Sequence, residues 1–294
     1  MMKKLYEGKA LPVMIIVGLI LMLWYVMAVK LNTPWQLGVY ELAGVTEWTN
    51  TQFINDTLNQ DRPVLPSVHQ VATEIWNTTV LKAPTSRRSL IYHSWITLSA
   101  TLLGFTIGTI LGISLAVGIV HSKAMDKSMM PWIIASQTIP ILAIAPMIIV
   151  VLNAVGISGV LPKALISTYL AFFPIAVGMV KGFRSPENIQ LDLMHTYAAS
   201  KSQIFWKLRW FSAMPYLFTS MKIAISISLV GAIVGELPTG AVAGLGARLL
   251  SGSYYGQTVQ IWSALIMAAA LAAILVSLVG VVERYATAKM GARP

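Results

Sequence analysis

Long apolar runs separated by shorter polar segments dominate the pattern of this sequence. A helix needs about 20 predominantly apolar residues to cross a bilayer, and stretches that can do so recur along the chain. They lie at residues 11–29, 95–120, 131–162, 164–180, 215–235 and 259–282. The pattern therefore predicts an all-α membrane protein with about six transmembrane helices.

The third apolar stretch, residues 131–162, is uncharged and longer than one simple span requires. Pro140 and Pro146 interrupt it, and proline removes a backbone donor and kinks a helix. Inside a membrane such a break is tolerated where it is buried in protein or lines a cavity. We therefore expect a broken third span beside a translocation pathway.

Residues near this break, on the fifth span and at its outer end are the candidates for lining the pathway. They are Ser136, Gln137, Thr138, Pro140, Ser226, Ser228 and Glu236. For the serines and Thr138, hydrogen bonding to the backbone of their own helices is an equal alternative. Gln137 needs a partner at membrane depth. Glu236 gates the cavity, holds the Gly-rich loop that follows it, or is a simple interfacial carboxylate.

A second motif concerns helix packing within the second span. Gly104, Gly108 and Gly112 form a doubled G-x-x-x-G pattern on one helix face. Such a face lets a neighbouring helix approach closely. We expect packing here and no ligand site.

The longest polar interval within the apolar part of the chain covers residues 181–215 and holds five Lys or Arg residues. Its spacing predicts a helix over Pro186 to Tyr197, with apolar side chains four residues apart on one face at Ile189, Leu193 and Tyr197. A small-residue corner and a second amphipathic piece follow. The interval therefore predicts a helical hairpin, which either docks into a groove of another protein or is a solvated connector.

Composition supports the membrane assignment. The 294 residues are 56% hydrophobic and 11% charged, whereas soluble domains carry about 25% charged residues. The chain has no cysteine, which excludes disulfides, thiolate metal sites and iron–sulfur clusters. The four histidines are scattered, so we expect no metal site.

The distribution of charge predicts the orientation. With the N-terminus inside, 14 of the 21 Lys and Arg residues fall in inner segments, including the 181–215 interval. The positive-inside rule then places both termini and this interval in the cytoplasm. The net charge of +10 therefore follows from topology, and we expect no nucleic-acid partner.

Three regions are expected along the chain. Residues 1–30 form a retained N-terminal transmembrane helix, because no small-residue cleavage site follows it. Residues 31–94 form a periplasmic loop with an amphipathic surface helix over Val68 to Val80. Residues 95–294 form a core of five transmembrane helices that includes the polar interval at 181–214.

Catalytic motifs are missing from the sequence. No G-x-x-x-x-G-K-[ST] phosphate-binding loop is present, so this chain has no visible means of hydrolysing ATP. Clustered acids, bases and metal ligands are also lacking. We therefore expect a protein that is not itself an enzyme.

Several segments resemble the permeases of binding-protein-dependent ABC importers. The polar interval resembles their cytoplasmic EAA loop: Asp192-Leu193-Met194 stands at E-A-A, Ala198 at the Gly, and Ile204-Phe205 and Lys207 match the following segment. The acidic residue is shortened and the Gly is lost. The I-P-x-L-A-x-x-P run and G-E-L-P-T-G followed by G-L-G resemble the nitrate/sulfonate/taurine-type members.

The resemblance implies the type I ABC importer permease architecture in the bacterial inner membrane. It implies a second permease subunit, identical or paralogous, two ATPase subunits that bind ATP and Mg, and a periplasmic solute-binding protein. It also implies that the hairpin couples ATP hydrolysis to alternating access. The coupling residues would be Asp192, Thr196, Ala198, Ala199, Ser200, Ile204, Phe205 and Lys207.

Two questions stay open at this point. Ile204 and Phe205 are expected to be buried in the ATPase subunit, with packing against this chain's own helix ends as the alternative. An ATP-independent secondary transporter or channel is the alternative function, and it predicts intramembrane acidic residues, which the six predicted spans lack. The substrate is not determined, since the resembling family takes both anions and heterocyclic nutrients.

Overall fold

The structure, a computed structural model, describes residues 10–238 and 242–290, which are mainly helical and contain no strand. The first helices are α1 (Ala10–Leu42), α2 (Asn50–Leu58), α3 (Val68–Trp76), a π-helical segment (Asn77–Leu81), α4 (Leu90–His121), α5 (Lys123–Ser136) and α6 (Ile141–Ala154). They are followed by α7 (Val160–Phe183), α8 (Asn188–Thr196), α9 (Lys201–Ile204), a second π-helical segment (Phe205–Arg209), α10 (Trp210–Val234), α11 (Leu245–Tyr254) and α12 (Thr258–Lys289).

The prediction of about six membrane spans is confirmed. Within the described residues, five helical stretches are long and apolar enough to cross a membrane, and a bent pair of helices makes up to six. The spans run further than the apolar stretches predicted: α1 continues to Leu42 and α12 to Lys289. Backbone hydrogen bonding continues past the first charged residues, because a helix end needs a breaking or capping signal and not merely polarity.

The predicted break in the third span is present. Helices α5 and α6 meet at 97°, and Pro140 is the N-cap of α6. Pro146 was expected to contribute to the break, but it lies inside α6. The break is therefore confined to the residues from Gln137 to Pro140.

The chain divides into two compact units. The first comprises the described parts of residues 1–91 and 248–267. Buried Asn32 organises it: its Nδ2 donates to the Leu65 carbonyl at 2.9 Å, and its Oδ1 accepts from the Val64 amide at 2.8 Å. The Trp24 Nε1 donates to the Pro66 carbonyl at 2.9 Å. The segment after α1 thus has structure of its own, and α3 lies where the amphipathic helix was predicted.

The second unit comprises the described parts of residues 92–247 and 268–294. Small residues let its helices approach closely. Gly104, Gly108 and Gly112 of α4 lie against α7, where an added Cβ at each would collide with α7 atoms. The packing expected from the doubled G-x-x-x-G pattern is therefore confirmed. Further along α7, Gly178 and Gly182 make the same kind of contact with α10.

Candidate transport and docking sites

A buried carboxylate ties together one end of the second unit. Glu236 is fully buried and lies just beyond α10. The Thr97 hydroxyl of α4 donates to its two oxygens at 3.0 and 2.9 Å, and the Gly246 amide of α11 donates to Oε2 at 2.9 Å. The Lys163 ammonium of α7 lies 3.5 Å from Oε1. Three helices are thus joined at a single side chain.

The contact with Glu236 explains why the loop after it is rich in glycine. Gly244 has φ +129°, a conformation that favours glycine, and an added Cβ there would collide with the Glu236 carboxylate. At Gly246 a Cβ would collide with the Ile233 carbonyl oxygen. The G-L-G motif therefore exists because the loop backbone lies directly on the carboxylate. Of the alternatives for Glu236, the loop-holding role is observed and the interfacial carboxylate is wrong.

Two further bonds fix the same loop, and burial changes the protonation of Glu236. The Leu245 amide donates to the Thr97 hydroxyl at 2.9 Å, and the Gly244 amide donates to His93 Nδ1 at 3.0 Å. Burial raises the pKa of Glu236 from its ordinary value of 4.5 to about 7, although the Lys163 charge and the Gly246 amide oppose the rise. The Glu236 carboxyl therefore changes its protonation near pH 7.

A cavity of about 460 Å³ lies beside this network. Ile149 and Asn153 of α6 and Pro162 and Lys163 of α7 line it, together with loop residues such as Ala243. The Lys163 ammonium also donates to the Ala243 carbonyl at 3.1 Å. Sequence reasoning missed Lys163, although a lone cation at the start of an apolar span was a signal that could have found it.

The residues predicted at the broken span lie together at the break, but none of them lines this cavity. The Ser136 hydroxyl donates to the Ile133 carbonyl at 2.7 Å and the Thr138 hydroxyl to the Ala135 carbonyl at 2.8 Å. The Gln137 amide finds its partner in the Ser136 hydroxyl at 3.2 Å. The alternative of local backbone bonding is therefore observed for Ser136 and Thr138.

The two serines of the fifth span have structural partners. The Ser226 hydroxyl donates to the Lys222 carbonyl within its own helix at 3.1 Å. Ser228 is fully buried, and its hydroxyl donates to the Thr101 carbonyl of α4 at 2.9 Å. The expectation that Ser228 lines a pathway is wrong, because it is packed between helices of its own chain.

An ion pair accounts for the charged residue of the fifth span. Lys222 lies within α10, and its ammonium pairs with Glu283. Glu283 was placed beyond the sixth span, yet it lies within α12. The pair neutralises both charges where the two helices meet.

The polar interval forms the predicted hairpin. Helix α8 ends before a corner in which Ala198 has φ +51°. Ser200 is the N-cap of α9 and accepts a hydrogen bond from the Gln203 amide. Asp192, Thr196 and Lys207 are exposed on the hairpin. From Lys201 the chain is helical without interruption to Val234, so the hairpin is continuous with the fifth span.

The apolar side chains of the hairpin divide into an exposed and a buried set. Ile189, Leu193 and Tyr197 are 72%, 56% and 77% exposed. Ile204 and Phe205 are only 7% and 5% exposed. The prediction that these two residues are buried in an ATPase subunit is therefore wrong, since they are already buried in their own chain.

Aromatic packing explains the burial of Phe205. Its ring centroid lies 5.1 Å from that of Phe183 at the end of α7 and 4.8 Å from that of His121 at the end of α4. Arg184 also pairs with Asp126 of α5 at 2.8 Å. The second half of the hairpin is thus part of the helix core, and the first half projects from it.

Replacing Ala198 with glycine is expected to stabilise the protein. A left-handed residue with a Cβ costs about 1–2 kcal/mol, which glycine avoids. Part of this gain is lost to the greater freedom of the unfolded chain, so the net rise in the free energy of unfolding is about 0.5–1 kcal/mol. Thermal melting in detergent measures it. Ala199→Gly is the control and is expected to melt no higher than the parent.

The fold places this chain among multi-pass membrane proteins, since the described residues contain five candidate membrane spans, or six if the bent pair of helices counts as one. The comparison with known proteins narrows the class. Residues 108–291 match the family described as binding-protein-dependent transport system inner membrane component. The chain belongs to this family of ABC transporter permease components.

Individual relatives carry names from several transport systems. The chain is 33% identical over 154 residues to a formylaminopyrimidine transport permease of Halalkalibacterium halodurans. The aligned residues cover 52% of this chain and 60% of that protein. It is 31% identical over 221 residues to a riboflavin transport system permease of Chloroflexus aurantiacus, covering 75% and 78%. A putative aliphatic sulfonates transport permease of Bacillus subtilis is 25% identical over 195 residues, covering 66% and 69%.

Proposed function

We propose that this chain is the permease subunit of an ATP-driven importer of the bacterial inner membrane. A separate periplasmic binding protein delivers a small solute, and separate ATPase subunits bind ATP and Mg and hydrolyse the nucleotide. A second permease subunit, identical or paralogous, completes the membrane part. The family membership and the names of the relatives support this assignment.

The exposed apolar face of α8 is the observation that carries the proposal. Ile189, Leu193 and Tyr197 lie four residues apart and are exposed on a polar hairpin. Fully burying a large apolar side chain is worth about 1.5–3 kcal/mol, so this face gains most by entering a groove of another protein. The docking residues of the hairpin are therefore those of α8, and Ile204 and Phe205 anchor it from behind.

Coupling follows from the continuity of the hairpin with α10. Movement of α8 by the ATPase subunits is passed through α9 and the π-helical segment into α10. Helices α7 and α10 are in close contact at Gly178 and Gly182, so they move together as a rigid pair. Such a shift switches the side to which the pathway opens.

The cavity beside Lys163 is the candidate for the outer end of the pathway. Positive-inside counting places the start of α7 on the side opposite the hairpin. The cavity is lined mainly by apolar side chains, with Asn153, Ser158 and Lys163 as polar groups. Because Glu236 already pairs with Lys163, the cavity suits a small polar solute better than a strongly bound ion.

Leu193→Asp tests the docking assignment. We expect it to weaken binding of the cognate ATPase subunit at least tenfold, because the docked face would bury a charge. The melting temperature should be unchanged, since Leu193 is exposed. The measurement is a titrated pull-down of the ATPase subunit on the purified variant, together with a melting curve.

Ser202→Asp is the matched control, because it adds the same charge to an exposed position of the same hairpin, on α9. It should bind the ATPase subunit as the parent does. Normal ATPase binding by Leu193→Asp would remove α8 from the docking surface and leave the hairpin as a connector.

A further inference from the structure

The first compact unit contains a polar cavity of about 490 Å³, to which the proposed function assigns no role. Three cationic residues line it: Lys82 after the first π-helical segment, Arg88 just before α4, and Arg248 on α11. Glu74 of α3 is its acidic residue. The cavity therefore carries an excess of positive charge.

Glu74 does not fully compensate the charges of the three cationic residues. The Arg248 Nη2 lies 3.7 Å from Glu74 Oε1, which is an ion pair but longer than a hydrogen bond. The Arg248 Nε is buried and finds no hydrogen-bond partner among the described residues. Burial lowers the pKa of Arg248 and raises the pKa of Glu74, so neither charge is fully compensated. A further anion would supply the missing acceptor.

The sequence positions of the lining residues place the cavity at the edge of the membrane. Arg88 lies two residues before α4, and Gln257 and Gln260 lie at the start of α12. Both helices are candidate membrane spans, and the ends of spans lie at the level of the lipid headgroups. The cavity thus opens where phospholipid phosphates are concentrated.

Exposed apolar residues beside the cavity fit the same position. Trp76, Val80 and Leu81 are exposed on α3 and the π-helical segment that follows. Tryptophan is enriched at membrane–water interfaces, and an amphipathic helix there buries its apolar face among the upper parts of the acyl chains. A charged cavity next to such a face can accept a headgroup and its chains together.

We propose that this cavity is a binding site for the headgroup phosphate of an anionic phospholipid. Arg248 and Arg88 supply guanidinium groups, which match phosphate oxygens with paired hydrogen bonds. Lys82 adds a third charge at the rim. The acyl chains lie along Trp76, Val80 and Leu81. The lipid would hold α3 against the start of α12, within the same unit.

Lipid titration of the full-length protein in a neutral detergent tests the proposal. The probes are dioctanoyl phosphatidylglycerol, dioctanoyl phosphatidylcholine and inorganic phosphate, and bound lipid is counted by native mass spectrometry. We expect phosphatidylglycerol to bind preferentially. The exposed double variant Lys82→Gln/Arg88→Gln should bind it about 30-fold more weakly, since each cation near a membrane surface contributes roughly fivefold. Its melting curve without lipid checks that it folds.

Lys123→Gln/Lys127→Gln is the matched control. It removes the same charge from exposed positions on α5 and should keep the affinity of the parent. Equal binding of phosphatidylcholine, or equal loss in the two double variants, would overturn the site. Inorganic phosphate binding as tightly as phosphatidylglycerol would overturn the lipid as its occupant and leave a site for a free anion.

Discussion

Replacing Glu236 with alanine is expected to lower the free energy of unfolding by about 3–5 kcal/mol, the cost of leaving one partner of a buried pair uncompensated. The variant strands the Lys163 ammonium, the Thr97 hydroxyl and the Gly246 amide, all of which now contact the carboxylate. The Gly-rich loop should lose its position as well. Melting curves in detergent and limited proteolysis of the loop measure the two effects.

Glu236→Gln is the conservative control, because it keeps an oxygen for Thr97 and Gly246 but cannot ionise. The pKa of Glu236 is raised by burial from 4.5 to about 7, so the folded state binds this proton more tightly than the unfolded state. Stability from this group is therefore full below about pH 4.5 and is lost as the pH rises to about 7.

The pH dependence provides a second measurement on the same pair of proteins. The melting temperature of the parent should fall between pH 5 and 7 more steeply than that of Glu236→Gln, and the difference between the two curves isolates this carboxyl from the rest of the protein. Parallel curves, together with an alanine variant as stable as the parent, would show that Glu236 does not organise the loop.

The substitution Phe205→Asp is expected to have the second large effect. It should lower the stability of the fold and not act through docking to an ATPase subunit. Truncating a buried phenylalanine costs about 3–5 kcal/mol, and an unpaired carboxylate in the same place adds to that cost. The ring now packs on Phe183 and His121. The variant should therefore melt far below the parent in detergent, whether or not an ATPase subunit is present.

The neighbouring Trp206 offers a control one position away. Trp206 is mostly exposed, so Trp206→Asp should cost about 1 kcal/mol or less, as expected for a surface position. If Phe205→Asp melted like the parent and lost only ATPase binding, the side chain would belong to the docking surface, and its burial in the core would have to be rejected.

Local patterns in the sequence determined most of the architecture. Apolar stretches long enough to cross a bilayer predicted the spans, because a helix satisfies its backbone hydrogen bonds internally and needs only apolar side chains to lie in lipid. The glycine face of α4 and the helical hairpin were predicted for the same reason, since spacings of three or four residues place side chains on one face whatever surrounds the helix.

Only the tertiary structure decided which apolar face of the hairpin is free. Leu193 and Phe205 are both large apolar residues on a polar segment, and nothing in their local spacing separates them. The end of α7 places Phe183 against Phe205, whereas Leu193 stays exposed and no comparable partner covers it among the described residues. Burial depends on neighbours that are distant in sequence, so the prediction for Phe205 was wrong while the helix that carries Leu193 was predicted.

The role of Glu236 was decided in the same way. The sequence showed an acidic residue before a Gly-rich loop and left three roles open. Its hydrogen-bond partner Thr97 lies 139 positions away, and Lys163 comes from a third helix. The sequence by itself therefore determined the helices and their faces, which depend on local spacing. The packing of α4, α7 and α10 decided the buried ion pair and the cavity beside it, because those require side chains from distant segments to meet.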